Sequence, residues 1–385
     1  MKNKSVGILN MHSSNSNYGA VLQAVAIQEC VNRLGYSSEH IDLIIPLTDE
    51  SIWRQLYDRF KKQVKVLLGM AYNVRGQRVF QEFRDKYLAL TDHTFYTMQD
   101  LDKHTFTYDA IVVGSDQVWR PKYTKTVAMA YFLPFVGSPV RKIAYAASFG
   151  VSRWEEFSDT ALTTKVGHLL QKFDSVSVRE DSGVEICKDV FTIKAQHVLD
   201  PTLLIGADFF KKTVLKEHTT NDYDGIVYYK LDRSQDFLNL LSFLGKKYSC
   251  CTKNIYHKKV SKRLREYIPV SQWLNAIHNS TIVVTDSFHC ICFAIMFNKE
   301  FIYYGNEQRG ITRAQSLLKM LGITGRMISS FDTEKVEMIV RRPIDYKTVN
   351  SKLDQFREES AHFLAAALNE KIIPADKMDE LCNNH

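Results

Sequence analysis

His289 closes the polar segment TDSFH (Thr285 to His289), and an apolar run, CICFAIMF, begins at the next residue. Imidazole is the side chain that changes charge near neutral pH, so a histidine at such a junction is a candidate acid or base. Asp286 and Ser287 stand where they can cap a helix beginning at Phe288, and a helix N-terminus attracts anions. Two cations follow in RGITRAQSLL: Arg309 and Arg313 lie four residues apart at a glycine-containing turn, a fork suited to carboxylate or phosphate. Lys230 ends the run IVYYK and would aim an ammonium at the same cleft. These types allow acid or base catalysis beside a bound carboxylate or phosphate. Each also has a plain structural reading: a half-buried histidine satisfied by backbone, a solvated helix start, an exposed strand end.

Other catalytic patterns are missing from the sequence. Gly19 and Gly114 suit turns, but no GxGxxG or Walker A spacing accompanies them. Seven cysteines, an odd number without CxxC or Cys/His spacing, indicate a reducing compartment and no metal site. A net charge of +7 favours anionic ligands or an anionic membrane surface, and is too small to indicate nucleic acid. Basic residues cluster at Lys61 to Arg78 and Lys246 to Arg265, either as solvated faces or as contacts to an anionic lipid surface. The N-terminus lacks a signal-peptide pattern and no window approaches 18 uninterrupted apolar residues, so the expected location is cytoplasmic, with peripheral membrane contact open.

The elements that would position these residues alternate. SVGILNM, SSEHIDLII, DAIVVGS, RKIAYAASFG and DSVSVRE read as strands, and AVLQAVAIQECVNRLGY and EDSGVEICKDV as helices. Residues 51–90 read as mostly helical. After HVLDPTLLI a second series begins: GIVYYKL, a helix from Ser234 to Lys247, a strand at YSCCTK, TIVVTDS, a helix at CICFAIMFN, EFIYYG and a helix ending at Gly322. A length of 385 residues and 45% hydrophobic composition suffice for two cores. The expected fold is α/β, two doubly wound Rossmann-like domains facing across a cleft. Their expected bounds are 1–200, 201–345, and a C-terminal helix at 346–385 packing back across the junction. Ligands of open parallel sheets bind at strand carboxyl ends. HSSNSNYGA, GSDQVWRP and ASFG would therefore form one wall, and TDSFHC with GNEQRGITR the other.

The chain resembles the polysaccharide pyruvyl transferases. The resemblance rests on GILNMHSSNSNYGAVLQAVAIQ, YDAIVVGSDQVWRP, KIAYAASFG, SVSVRED with GVE after Ser182, VLDPTLL, VVTDSFHCICFAIMFNKEF and RGITRAQSLLKMLGI, in that order. It implies a GT-B-like fold and transfer of pyruvate from phosphoenolpyruvate, as a ketal, onto two hydroxyls of a sugar. His289 becomes the general acid, with Lys230, Ser287, Arg309 and Arg313 at the donor. Ser287 stands where some members carry arginine, and Cys290 where they carry glycine. The acceptor, a sugar or lipid-linked oligosaccharide of a capsule, exopolysaccharide or cell-wall glycan, would meet Asn15, Asn17, Tyr18, Ser115, Gln117 and Trp119. Asp116 would be its base or a helix cap. No cofactor or metal is implied beyond phosphoenolpyruvate as co-substrate. Competing readings are a glycosyltransferase using a nucleotide sugar and a non-catalytic glycan- or lipid-surface-binding relative.

Overall fold

The computed structural model describes residues 4–45, 60–61, 63–68, 72–217, 224–230, 234–305 and 310–368. Arg309, Cys382 and residues 51–59 of the expected helical stretch lie outside them.

The first sheet contains β1 (Ser5–Leu9), β2 (Ser37–Leu43), β4 (Leu90–Phe95), β5 (Ala110–Val113), β6 (Arg141–Ala147), β7 (Ser175–Val178) and β8 (Gln196–His197). They run parallel in the order β4-β2-β1-β5-β6-β7-β8. A smaller sheet joins β3 (Asn73–Arg75) to β11 (His257–Lys259) and β12 (Leu264–Tyr267) in the order β11-β12-β3. The second parallel sheet holds β9 (Ile226–Tyr229), β10 (Thr252–Asn254), β13 (Ile282–Thr285), β14 (Glu300–Tyr304) and β15 (Met327–Ile328), ordered β10-β9-β13-β14-β15. Strands such as AIVV, IVYY and IVVT are buried along their whole length, as a parallel sheet covered on both faces requires. In the first sheet the chain winds outward from β1 and then reverses from β5. In the second it reverses between β9 and β13. Each reversal opens a crevice at the strand carboxyl ends.

Helices α1 (Tyr18–Arg33), α2 (Arg78–Tyr87), α3 (Pro201–Ile205), α4 (Phe288–Met296), α5 (Ile311–Leu321) and α6 (Tyr346–Ala367) matter most for the site. Asn17 starts α1 by accepting from the backbone of Gly19 and Ala20 at 3.0 and 3.3 Å. The helix serves both halves. Tyr18, Val21, Leu22 and Val25 join a core with Trp273 and Phe293, while Ile27, Cys30 and Val31 pack under the first sheet. Helix α6 does likewise, with Val349 and Leu353 in the former core and Leu364 in the latter.

Two expectations change. The run YSCCTK is not all strand, because β10 starts at Thr252, after both cysteines. Within 51–90, β3 pairs with β12, and Phe80 and Phe83 of α2 enter the core of the second half. This early segment thus crosses over to the later half of the chain.

Candidate active site

Strand register builds the site. Thr285 of β13 pairs with Tyr229 of β9, so the next residues, Asp286 and Lys230, leave the sheet side by side. Lys230 Nζ donates to Asp286 Oδ2 at 3.0 Å, and both side chains are buried. Lys230 is therefore no exposed strand end. Ser287 caps α4, its hydroxyl accepting from the backbone N–H of Cys290 at 3.4 Å. His289 falls in the first turn and is 4% exposed.

From the first sheet comes Arg179, directly after β7, with no exposed side-chain surface. Its Nη2 donates to Asp116 Oδ1 and its Nη1 to Asp200 Oδ2, both at 2.7 Å. His289 Nε2 lies 3.4 Å from Arg179 Nη1 and 3.5 Å from Asp200 Oδ2. Arg313, on α5, brings Nη1 to 3.8 Å from Asp116 Oδ1. The two guanidinium groups share the Phe288 ring, at 4.7 and 5.6 Å from its centroid. Charge from both halves thus meets at one buried point.

Several groups hold this point rigid. Asp200 Oδ1 caps α3 by accepting from the N–H and hydroxyl of Thr202, while Oδ2 also accepts from Ser115 Oγ at 2.9 Å. Glu180 Oε1 accepts from Ser148 Oγ and the N–H groups of Phe149 and Gly150, each at 2.9 Å, which fixes the ASFG turn. Gly310 and Gly150 both have positive φ, and a Cβ on Gly310 would come within 2.6 Å of the Gly150 carbonyl oxygen. Glycine is required there because loops from the two halves touch.

The electrostatics follow from burial and pairing. Burial alone would raise the Asp116 carboxyl, but Arg179, His289 and Arg313 outweigh it and hold the group below the usual carboxylate range. Asp200 obeys the same balance more strongly: against burial, His289 and Arg179 hold its carboxyl far below the usual range. For Arg313, burial and then the like charge of Arg179 lower its affinity for its proton. An anion bound between the two guanidinium groups would relieve that crowding.

The acceptor wall is largely not where the sequence suggested. Tyr18 has no exposed surface: it stacks on Trp273 and its hydroxyl donates to the Ile268 carbonyl at 2.9 Å. Trp119 is equally enclosed, its Nε1 donating to the Tyr131 carbonyl at 3.0 Å. Both are core residues because large rings beside a polar loop found apolar surface to cover. Ser115 belongs to the Asp200 cluster. Gln117 is buried, its Oε1 accepting from Arg120. Asn15 is exposed and accepts from Arg84 at 2.6 Å, and Asn17 is the α1 cap. Asp116 does not cap a helix. Its carboxylate is instead engaged by Arg179 and faces Arg313. Gly19 is no turn residue either, since it lies inside α1 against the imidazole of His289.

Sequence reasoning missed Arg179, Asp200 and Glu180. A signal was available: Arg179 and Glu180 follow the buried strand of SVSVRED, and Asp200 precedes a proline in VLDPTLL, where a carboxylate can cap a helix. A cavity of about 610 Å³ lined by residues including Cys30, Arg33, Leu204, Met296, Leu353 and Arg357 lies beside α6 and contains none of the cluster.

The two wound sheets define a two-domain, Rossmann-like α/β protein. The same fold is found in a UDP-N-acetylglucosamine 2-epimerase, 13% identical, with a TM-score of 0.51 over 97% of this chain and 99% of that one. The Neisseria meningitidis UDP-GlcNAc 2-epimerase bound to UDP-GlcNAc is similar at 12% identity and TM-score 0.48, covering 95% and 99%. Medicago truncatula UGT71G1 complexed with UDP-glucose follows at 10% and 0.47, covering 99% and 98%. No curated protein matches the chain. The model of one family, polysaccharide pyruvyl transferase, matches residues 17–308, and the chain belongs to that family.

Proposed function

We propose that the protein transfers the enolpyruvyl carbons of phosphoenolpyruvate to a sugar of a surface polysaccharide or its lipid-linked precursor, forming a pyruvate ketal. The observation supporting this is the convergence of Arg179, Arg313 and His289, with Asp116 and Asp200, in a site nearly closed to water. Phosphoenolpyruvate presents a phosphate and a carboxylate, and charge-assisted bonds to guanidinium groups suit both. Here those cations are matched by Asp116 and Asp200, so the donor must exchange with carboxylates for part of its grip. Arg313 is suited to this exchange, because a donor anion would offset the like charge of Arg179 beside it.

His289 is the acid of this reading. Gly19 covers Nδ1, so Nε2 is the nitrogen directed at the cluster. Its proton goes to the terminal methylene of the donor, leaving an oxocarbenium-like C2. One sugar hydroxyl bonds to C2, the C2–O bond to phosphate breaks, and a second hydroxyl closes the ketal. Of the two hydroxyl protons released, one replaces the proton given to the methyl group and the other leaves on inorganic phosphate. Arg179 acts as a positioning residue, holding Asp200 and the imidazole in one arrangement.

The UDP-sugar ligands of the neighbouring folds carry no argument here, since at about this identity the likeness is one of fold. The test is incubation with phosphoenolpyruvate and a panel of lipid-linked galactose, glucose and mannosamine acceptors, read by mass spectrometry and phosphate release. A product heavier by pyruvate less water is expected, and His289→Ala should lower turnover by roughly 10²-fold or more. Near-normal turnover in that variant would remove His289 from the mechanism.

A further inference from the structure

The two basic clusters of the sequence, nearly two hundred residues apart, form one surface. Arg263 Nη2 donates to the Leu67 carbonyl at 3.0 Å, and the Asn73 N–H donates to the Arg263 carbonyl at 2.8 Å. β3 and β12 then continue the contact. Around this seam the described residues at 60–68 and 257–265 carry Lys61, Lys65, Lys258, Lys259, Lys262, Arg263 and Arg265 without Asp or Glu, and the carboxylate that follows, Glu266, is paired with Arg75 at 3.1 Å. Apolar side chains protrude among the cations: Phe60 is 69% exposed, Leu67 64%, Leu68 68% and Val260 44%. Single exposed apolar residues are ordinary, but a group of them within a field of one sign is not.

We infer that this face docks on an anionic lipid bilayer. Charge complementarity selects that occupant. Interfaces with other proteins are depleted in lysine, whereas membrane-surface segments combine Lys and Arg with inserted Phe and Leu. Among the described residues no helix is long and apolar enough to cross a membrane, so the contact is one of surface docking. The face also adjoins the site. Ile268, directly after β12, accepts the Tyr18 hydroxyl, and the following residue, Gly19, packs on His289. A lipid-linked acceptor held in the same bilayer would arrive beside the cluster, and this last step rests on the transferase reading. The docking itself does not.

The experiment is flotation of the full chain with vesicles of phosphatidylglycerol and phosphatidylcholine, against phosphatidylcholine alone, at low and high salt. Binding is expected to the anionic vesicles only and to weaken with salt. The triple variant Lys65→Glu, Lys258→Glu, Lys262→Glu should lower the partition coefficient by roughly tenfold or more, and Leu67→Ser with Leu68→Ser should lower it as well. Circular dichroism and thermal melting are recorded on each variant, so that loss of binding by folded protein is what is scored. Equal binding by wild type and folded variants, or no binding to anionic vesicles, overturns the proposal. So does a wild-type dimer, seen by light scattering, that these variants dissociate, since the face would then join two copies. Vesicle binding that persists in a protein without pyruvyl transfer leaves the surface standing and removes the transferase reading alone.

Discussion

Gly19 and His289 pack backbone against ring: a Cβ at position 19 would lie 2.1 Å from Nδ1 and 2.4 Å from Cγ of the imidazole. In most helices alanine is the better residue, by about 1 kcal/mol. Here it forces the ring toward Arg179 or tilts α1. Gly19→Ala is expected to lower kcat by roughly 10²-fold, the usual scale for a displaced catalytic group. Steady-state kinetics together with the imidazole NMR shifts check this. Wild-type turnover with unmoved imidazole signals would show that the ring is not set by this contact.

Arg179 is the keystone of the buried charges. Replacing it by methionine leaves Asp116 and Asp200 without their main cation, and a single broken buried pair costs about 3–5 kcal/mol. Arg179→Lys keeps the charge but loses the two-pronged geometry, and should cost less. Urea denaturation of both variants tests the order, and equal stability of Arg179→Met and wild type would contradict the pairing seen here.

The depressed carboxyl of Asp200 links this cluster to acid stability. A group whose folded pKa lies below its unfolded value, about 3.9, stabilises the fold fully above that value and loses the contribution as the pH falls toward the folded one. Asp200→Asn should therefore be less stable at neutral pH, and its stability should fall less steeply between about pH 5 and 2 than that of wild type. Denaturation midpoints measured across that range decide the matter. Parallel curves would mean that Asp200 does not titrate with folding.

Arg313 faces Asp116 at 3.8 Å and has a neighbouring guanidinium, Arg179, to repel. Arg313→Ala is predicted to raise KM for phosphoenolpyruvate by roughly 10- to 100-fold, the loss of one charge-assisted contact, with a smaller effect on kcat. Initial rates at varied donor concentration measure both constants. An unchanged KM would place the donor elsewhere.

Trp119 separates core from acceptor contact. Its indole is fully enclosed by Phe132 and Phe149, so Trp119→Ala should cost about 3–5 kcal/mol of stability. The milder Trp119→Phe should leave the acceptor KM unchanged. A raised acceptor KM in Trp119→Phe with unaltered melting would restore the ring to the sugar site.

Much of this protein can be read from local pattern. Uninterrupted apolar runs such as AIVV and IVVT announce strands buried on both faces, and their polar successors announce the loops at strand ends. That reading placed His289, Lys230 and Ser287 at the mouth of the second sheet, because position after a strand depends on chain order alone. It also found Ser287 at the start of a helix, since capping needs only a side-chain oxygen and the next turn.

What the residues could not tell by themselves was which charges meet. Asp116, Arg179, Asp200 and His289 lie 21 or more residues apart, and they become neighbours through strand order and register, which are long-range properties of the two sheets. The same limit misassigned Tyr18 and Trp119: an aromatic ring in a polar loop looks like a ligand platform until the fold supplies apolar surface that buries it. Composition and spacing thus determined the strands, the caps and the polar loops of each half. Tertiary packing alone decided that two crevices share one buried cluster of charge, and that two distant basic stretches form a single face. Burial and ion pairing act across space, whereas periodicity acts only along the chain.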